Sequence, residues 1–399
     1  MRKSTFFLAL VLCCGAINPA PAAGAVTYLV FPPENLSNNP ALAWVGEAIA
    51  LSVGEQLRMP GVETFSREER LNFVEGADLP PKASLSRASM IHVAQQAAAD
   101  RLIMGSFAGT EDNLQITLRV LEVKSMKMGG EISAAGPPAV LPQMENELAW
   151  IVLMNAGLNK IYSREKFRGR IRNIPNQAYS GFLQSLSQGN PEEQAKTLLK
   201  AVDISPNFPE AQARLGQYYF EQGDCEKSIR HLEMAGGIRG SYLENQFKLG
   251  TCYLKQGGFQ DAVRSFSAIL SFVQSPQVLN NLGVAYLRKG DFTLAAQNLI
   301  EARNAARTEP TILVNLAIVR HLQGDTAVAH ALLEEIAKSN PGRGMVQFML
   351  GVVLRTRGES ERSDLALAQA KRLGLDPEKL LTEDPKTWAR LFTTWSGRP

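Results

Sequence analysis

A Leu-Gly dipeptide returns at a steady interval through the carboxyl-terminal half of the chain. Leu215-Gly216 is followed by Leu249-Gly250, Leu282-Gly283, Leu316-Ala317 and Leu350-Gly351, a spacing of about 34 residues. Other positions keep the same phase. Tyr219 returns as Tyr253 and Tyr286. Gly223 returns as Gly257, Gly290, Gly324 and Gly358, with Gly189 one period earlier. Ser228 returns as Ala262, Ala295, Ala329 and Ser363; Leu232 as Phe266, Leu299, Leu333 and Leu367; Ala235 as Ile269, Ala302, Ile336 and Ala370.

Each position has a physical role. Leu215 and Tyr219 stand four residues apart, on one face of a helix. The glycine at Gly223 accepts the left-handed conformation that ends a helix. Asp or Glu follows that glycine in four copies and caps, or places negative charge at, the next helix start. Small residues such as Gly216 and Ser228 let the two helices approach closely. One helical pair cannot bury its apolar face alone, whereas stacked copies share a continuous core.

These residues resemble the tetratricopeptide repeat, whose pattern is Leu-Gly or Leu-Ala, a later Tyr, a turn Gly, and small and apolar positions in a second helix. The units fall at 175–208, 209–242, 243–275, 276–309, 310–343 and 344–375; Pro206 and Pro341 match the terminal proline, and Gly181-Phe182 replaces Leu-Gly in the first unit. The resemblance implies an all-α solenoid, a right-handed superhelix with a concave groove lined by the first helix of each unit. Groove candidates are Arg214, Gln217, Phe247, Lys248, Lys255, Asn280, Asn281, Arg288, Asn315 and His321. Asn281 and Asn315 are equivalent positions, and their amides can pair with the backbone of an extended peptide whatever its sequence. Arg214, Lys248, Lys255 and Arg288 favour an acidic or carboxylate-ended ligand, although the carboxylate clamp of chaperone-binding relatives is not matched. The alternative for this whole face is a solvated polar surface.

Residues 26–162 follow a different pattern. VTYLVF reads as a buried strand, Trp44 to Leu57 as an apolar helix, and GVETF as a second strand. Ser66 and Glu69 have capping-box spacing, and Ser86 to Ala99 reads as a helix. RLIMGSFAGT and LQITLRVLEV flank a tight turn, GEISAA is a further edge strand, and Leu141 to Tyr162 closes the unit as a helix. The expectation is an α/β domain with a mixed sheet. VFPPENLSNNPALAWVGEAIALSVGEQL, GVETFSREER and ADRLIMGSFAGTEDNLQITLRVLEV resemble the amino-terminal domain of the periplasmic translocation protein TolB and of flagellar-assembly lipoproteins (the FlgO-like domain). That resemblance implies assembly or binding in the cell envelope. Residues 163–174 read as a linker.

The first 25 residues read as a signal peptide. Arg2 and Lys3 form the basic start, Phe6 to Cys14 the apolar core, and Ala20-Pro21-Ala22 and Ala23-Gly24-Ala25 offer cleavage sites. Cys13 and Cys14 raise a lipid anchor, but the residue before each is not the small one a lipoprotein signal carries. The expected location is exported, periplasmic or secreted. The net charge of +3 includes Arg2 and Lys3, so the remaining chain is nearly neutral and does not point to nucleic acid. After cleavage Cys225 and Cys252 remain. Export permits a bridge between them, and two separate buried thiols is the simpler reading.

Motifs for catalysis do not emerge. His92, His231, His321 and His330 show no metal-ligand spacing, and Ser163-Arg164-Glu165-Lys166 lacks the further motifs that S-x-x-K needs. The sequence therefore predicts no enzyme, no metal and no cofactor. In residues 376–399, Asp384-Pro385 begins a segment with Trp388, Leu391, Phe392 and Trp395 at helical spacing. This predicts a capping helix over the last repeat, or a docking element for a partner. The function expected is a non-enzymatic adaptor that binds a protein or peptide. The alternative is a structural assembly factor, associated peripherally with the outer membrane, in which the α/β unit self-associates and the repeats act as a spacer. Oligomeric state is open.

Overall fold

In the computed structural model of the protein, the apolar run Val26–Val30 forms strand β1 inside a seven-stranded mixed sheet. Residues 25–394 are described, apart from 38, 81–84, 111, 159–162, 172 and 238–241. The expected signal segment, up to residue 24, thus lies outside the described residues. Two compact units emerge, one ending at Phe208 and one beginning at Pro209.

In the first unit β1 pairs in parallel with β3 (Val62–Thr64) on one side and β4 (Arg101–Gly109) on the other. The two-residue strand β2 (Glu34–Asn35) also runs parallel to β4. β4 turns back into β5 (Leu114–Glu122), which pairs antiparallel with β6 (Lys127–Met128) and β7 (Ile132–Gly136). Alternation along β1 sends its side chains to both faces. Leu29 and Phe31 join Val74 of α2 (Arg67–Gly76) and Val93 of α3 (Arg87–Gln96). Val30 faces α1 (Ala43–Leu57), which packs with α4 (Leu141–Asn155). The capping box at Ser66 forms in full: its hydroxyl accepts from Glu69 N–H at 3.2 Å, and the Glu69 carboxylate accepts from Ser66 N–H at 2.7 Å.

Two expectations change here. The closing helix stops at Asn155, not Tyr162, because Gly157 turns the chain with φ +72° and lets Leu158 N–H reach Leu153 C=O. The linker is ordered in part as a short helix α5 (Arg164–Arg168), capped by Ser163, whose hydroxyl accepts from Lys166 N–H. The S-x-x-K tetrapeptide is this cap. Phe167 is buried against Trp150, and its carbonyl accepts from Asn146, which also donates to Gln56 of α1 at 2.6 Å. The hairpin of α6 (Asn176–Ser187) and α7 (Pro191–Ile204) completes this unit, with α6 against α1.

The second unit is five helical hairpins in chain order: α8 (Pro209–Glu221) with α9 (Cys225–Ala235), α10 (Tyr242–Gln256) with α11 (Phe259–Leu270), and α12 (Pro276–Lys289) with α13 (Phe292–Ala305). α14 (Pro310–Leu322) with α15 (Thr326–Ser339), and α16 (Gly344–Thr356) with α17 (Ser360–Arg372), follow. Successive hairpins stack, α11 on α12, α13 on α14 and α15 on α16. The small residue in each first helix is needed sterically: a Cβ at Gly216 would lie 2.5 Å from Leu232 Cγ, and one at Gly283 2.7 Å from Leu299 Cγ. Where the second helix carries Ser rather than Ala, its hydroxyl donates across this contact, Ser228 to Gly216 C=O at 2.9 Å and Ser363 to Gly351 C=O at 2.8 Å. Asp224, Asp291 and Asp325 cap their helices by accepting from the N–H three residues on; Glu359 makes no such bond.

Cys225 and Cys252 form a disulfide, with Cα atoms 5.0 Å apart, that ties α9 to α10. Two separate thiols is therefore the wrong reading: hairpin stacking brings together positions 27 residues apart. Among the described residues of the expected capping helix over 376–399, which end at 394, no continuous helix forms. Pro377–Leu380 makes a short helix α18, and Pro385–Trp388 a single 3-10 turn. Ala389 is extended (φ −63°, ψ 139°), and residues 390–394 have no helix. Trp395 lies outside the described residues.

Candidate functional site

The first helices of the repeats carry polar side chains buried too deeply to serve as a solvated face. Asn280 and Asn281 on α12 and Asn315 on α14 are each 0% exposed. A buried primary amide requires partners for two donors and an acceptor. The chain's own carboxyl-terminal segment supplies them. Asn315 Nδ2 donates to Arg390 C=O at 2.8 Å, and Arg390 N–H donates to Asn315 Oδ1 at 2.9 Å. One period earlier, Asn281 Nδ2 donates to Phe392 C=O at 2.8 Å, and Phe392 N–H donates to Asn281 Oδ1 at 2.9 Å. Asn280 joins the two amides, accepting from Asn315 at 2.8 Å and donating to Asn281 at 3.2 Å and Arg390 C=O at 3.3 Å.

The local geometry explains the register. Residues two apart in an extended chain present their N–H and C=O groups to the same side. Arg390 and Phe392 therefore face equivalent asparagines on adjacent repeats. Around these two rungs, over residues 388–392, the side chains are buried or half-buried, apart from that of Arg390. Trp388 is buried edge-to-face on Phe348 of α16, with ring centroids 5.1 Å apart, and its indole N–H donates to Leu380 C=O at 3.0 Å. Ala389 is also buried, whereas the Arg390 side chain is exposed. Leu391 packs on the apolar clusters of both the third-to-fourth and fourth-to-sixth units. Phe392 packs on the first of these and beside Leu279 and Ile312. Arg288 at the end of α12 donates to Thr387 C=O at 3.1 Å. Burial pushes the Arg288 guanidinium pKa down, and the Asp384 carboxylate partly restores it.

The structure thus gathers Asn280, Asn281, Arg288 and Asn315 around one peptide segment. The remaining candidates are placed elsewhere. Lys248 and Lys255 of α10 each stand 5.8 Å from the Phe220 ring, and Lys248 pairs with Glu244. Gln217 donates to Asn245 at 3.3 Å, and Arg214 is half-buried on α8. Phe247 is not a groove residue: it is 2% exposed and packs on Phe266 inside the hairpin, because its position on α10 faces α11. His321 is half-buried near the end of α14, where desolvation lowers its pKa. Sequence reasoning missed the strand-like segment Trp388–Phe392. Its signal was present in the repeated asparagines, which anticipate an extended chain.

Among the described residues no cluster of three or more His, Cys, Asp or Glu could hold a metal ion, and no helix is long and apolar enough to cross a membrane. Two family models, each described as the tetratricopeptide repeat, match residues 247–307 and 310–335. No curated protein matches the sequence. Solved structures similar to the chain include MamA, at 19% identity over 42% of this chain and 98% of that one, with a TM-score of 0.37. They also include YrrB, described as "a TPR protein with an unusual peptide-binding site", at 15% identity over 47% and 96%, TM-score 0.38. MamA from Desulfovibrio magneticus RS-1 is similar at 15% identity over 44% and 97%, TM-score 0.39. Residues 247–335, the stretch that contains both clamping asparagines, are tetratricopeptide repeats.

Proposed function

We propose that the protein is an exported, non-enzymatic adaptor whose repeats hold an extended segment of a partner protein by its backbone. One observation carries this reading: Asn281 and Asn315 each make a paired N–H and C=O contact to alternate residues of an extended chain. Such contacts read main chain and leave side chains to the flanking pockets, the division used in strand-addition recognition. In the structure the chain's own residues 390 and 392 occupy these amides, and a partner segment would take their place. Export is supported by the basic and apolar start of the sequence. It is also supported by the Cys225–Cys252 bridge, since disulfides persist in oxidising compartments. The resemblance of the α/β unit to envelope-assembly domains favours the periplasmic side of the envelope.

Capture from an envelope extract tests the proposal. The full chain carrying Arg390→Pro, which removes one tail N–H, should retain a partner that the same chain with Asn281→Ala and Asn315→Ala does not. An identical set of captured proteins would exclude backbone clamping by these amides. Fractionation of cells expressing the leader-bearing chain should place it in the envelope with Cys225 and Cys252 oxidised; a reduced cytosolic protein would exclude export.

A further inference from the structure

The groove contains a stand-in for its ligand, and the stand-in has a readable pattern. Resting on the peptide-binding reading above, we infer that the partner segment has the form Trp, small, any, apolar, aromatic, and that the chain's own tail occupies the groove until such a segment displaces it.

Each position follows from the contacts of the tail. At Trp388 the pocket is buried and offers both the Phe348 ring and the Leu380 carbonyl. A phenylalanine could fill much of that volume but has no N–H for the carbonyl, so the position selects tryptophan. Ala389 is 3% exposed within the same apolar cluster, so a larger side chain there would have to displace buried neighbours. Arg390 makes its hydrogen bonds through its backbone, to Asn315 and Asn280; its side chain is exposed and meets only the charge of Arg288. Leu391 and Phe392 pack partly against apolar clusters, and Phe392 is fixed by Asn281. The segment enters from the last repeat and runs back toward the earlier ones, since Trp388 meets α16, Arg390 meets α14 and Phe392 meets α12.

Tethering gives the tail the advantage of an intramolecular ligand. A covalently linked segment acts at an effective concentration on the order of millimolar. A partner peptide must match the same pockets to displace it, which makes occupancy a filter for sequence as well as a cover for buried asparagines.

The test uses a labelled nine-residue peptide copying residues 386–394, KTWARLFTT, titrated into full-length chains. The Arg390→Pro chain, whose substituted side chain is exposed, should bind the peptide about tenfold or more tighter than the unaltered chain. Trp388→Ala should act in the same direction; if that chain does not fold, Arg390→Pro alone carries the comparison. Against the Arg390→Pro chain, peptides carrying Trp388→Phe or Ala389→Leu should bind roughly tenfold more weakly, and a peptide carrying Arg390→Ala should bind equally well. Equal binding of every peptide, still dependent on Asn281 and Asn315, would overturn the sequence pattern and leave backbone clamping intact. Absence of binding by any peptide would overturn both. Equal affinity of the unaltered and Arg390→Pro chains would overturn occupancy by the tail in cis. So would a dimer in sedimentation that dissociates on Arg390→Pro, which would assign the groove to the tail of a second copy.

Discussion

Asn315 and Arg390, 75 residues apart in the chain, exchange two hydrogen bonds as two residues of paired strands do. A carboxamide carries the same donor and acceptor as a peptide group. Asn281 repeats the arrangement with Phe392, 111 residues away. The repeat period has thus been converted into a two-rung ladder: equivalent asparagines on two adjacent hairpins meet residues 390 and 392 of an extended segment, with Asn280 bracing the first rung.

The first prediction concerns these amides. Asn315→Ala removes both bonds to Arg390 and the bond to Asn280. A buried donor or acceptor left unpaired costs about 1–3 kcal/mol, but the tail escapes most of this by leaving the groove for water. The expected outcome is a small loss of global stability with a large gain in tail accessibility. Trypsin should cleave after Lys386 and Arg390 much faster in Asn315→Ala than in the unaltered chain, and mass spectrometry of timed digests reads this directly. Unchanged cleavage would mean that the amides do not hold the tail.

Much of the helical half was legible because its determinants are local and repeated. The Leu-Gly positions, the turn glycines and the Asp caps each state one constraint several times over. The equivalence of Asn281 and Asn315 and their fitness for an extended peptide were legible too. The identity of that peptide was not. Trp388, Leu391, Phe392 and Trp395 have the spacing of a helical stripe, and local pattern favours a helix there. An isolated helix this short has little stability of its own, whereas buried asparagines reward an extended backbone, so the tertiary partner decides. The Cys225–Cys252 bridge was equally hidden, since proximity depends on the stacking of α9 against α10. In the α/β unit the strands and the Ser66 cap were readable, while the end of α4 depended on the positive φ of Gly157.

Helix approach gives a second prediction. A Cβ at Gly250 would lie 2.8 Å from two atoms of the Phe266 ring, which is fully buried and cannot swing away. Gly250→Ala gains about 1 kcal/mol of helix propensity, and overpacking costs about 1–3 kcal/mol. The net effect should be destabilising, with a lower thermal midpoint by circular dichroism. A raised midpoint would show that α10 and α11 separate freely.

A third prediction addresses the α/β unit. Arg70 is 5% exposed; it donates to Val30 C=O at 3.0 Å and pairs with Glu47, while burial pushes its guanidinium pKa down. Removing one partner of a buried ion pair costs about 3–5 kcal/mol because it strands the other charge. Glu47→Ala should approach the lower end, since Glu47 is itself partly exposed. Urea unfolding should show a clearly reduced midpoint, larger than for Glu131→Ala, whose ion pair with Arg119 is exposed. Equal effects would mean that Arg70 finds adequate solvation without Glu47.

Reduction of the disulfide supplies a fourth. Closing a loop of 27 residues is worth about 2–4 kcal/mol, through restriction of the unfolded chain. The oxidised protein should show no free thiol at Cys225 or Cys252, and reductant should lower its unfolding midpoint. Cys225→Ala with Cys252→Ala should match the reduced protein and lose all sensitivity to reductant. Continued sensitivity would place the effect elsewhere.

The last prediction is the pH dependence of the repeat unit. The His231 pKa is lowered first by desolvation and then by Arg230 and Lys227; the ring stacks on Tyr219 and bonds Gln212. The His321 pKa is lowered by desolvation alone. For both, the folded state protonates at lower pH than the unfolded state, whose ordinary histidine value is 6.5. Above that value neither state binds the proton and the contribution to stability is complete. As pH falls below it the unfolded chain takes up protons first, so stability declines toward the depressed folded values. The carboxylates of Asp224 and Glu359 are also shifted down, by hydrogen bonds to Lys227 and Arg357, but their ordinary values of 3.8 and 4.5 place their losses at lower pH. Urea midpoints at pH 7.5 and pH 5 should therefore differ in the unaltered protein, and less so in a chain carrying His231→Gln and His321→Gln. An unchanged difference would assign the acid sensitivity to groups other than these two histidines.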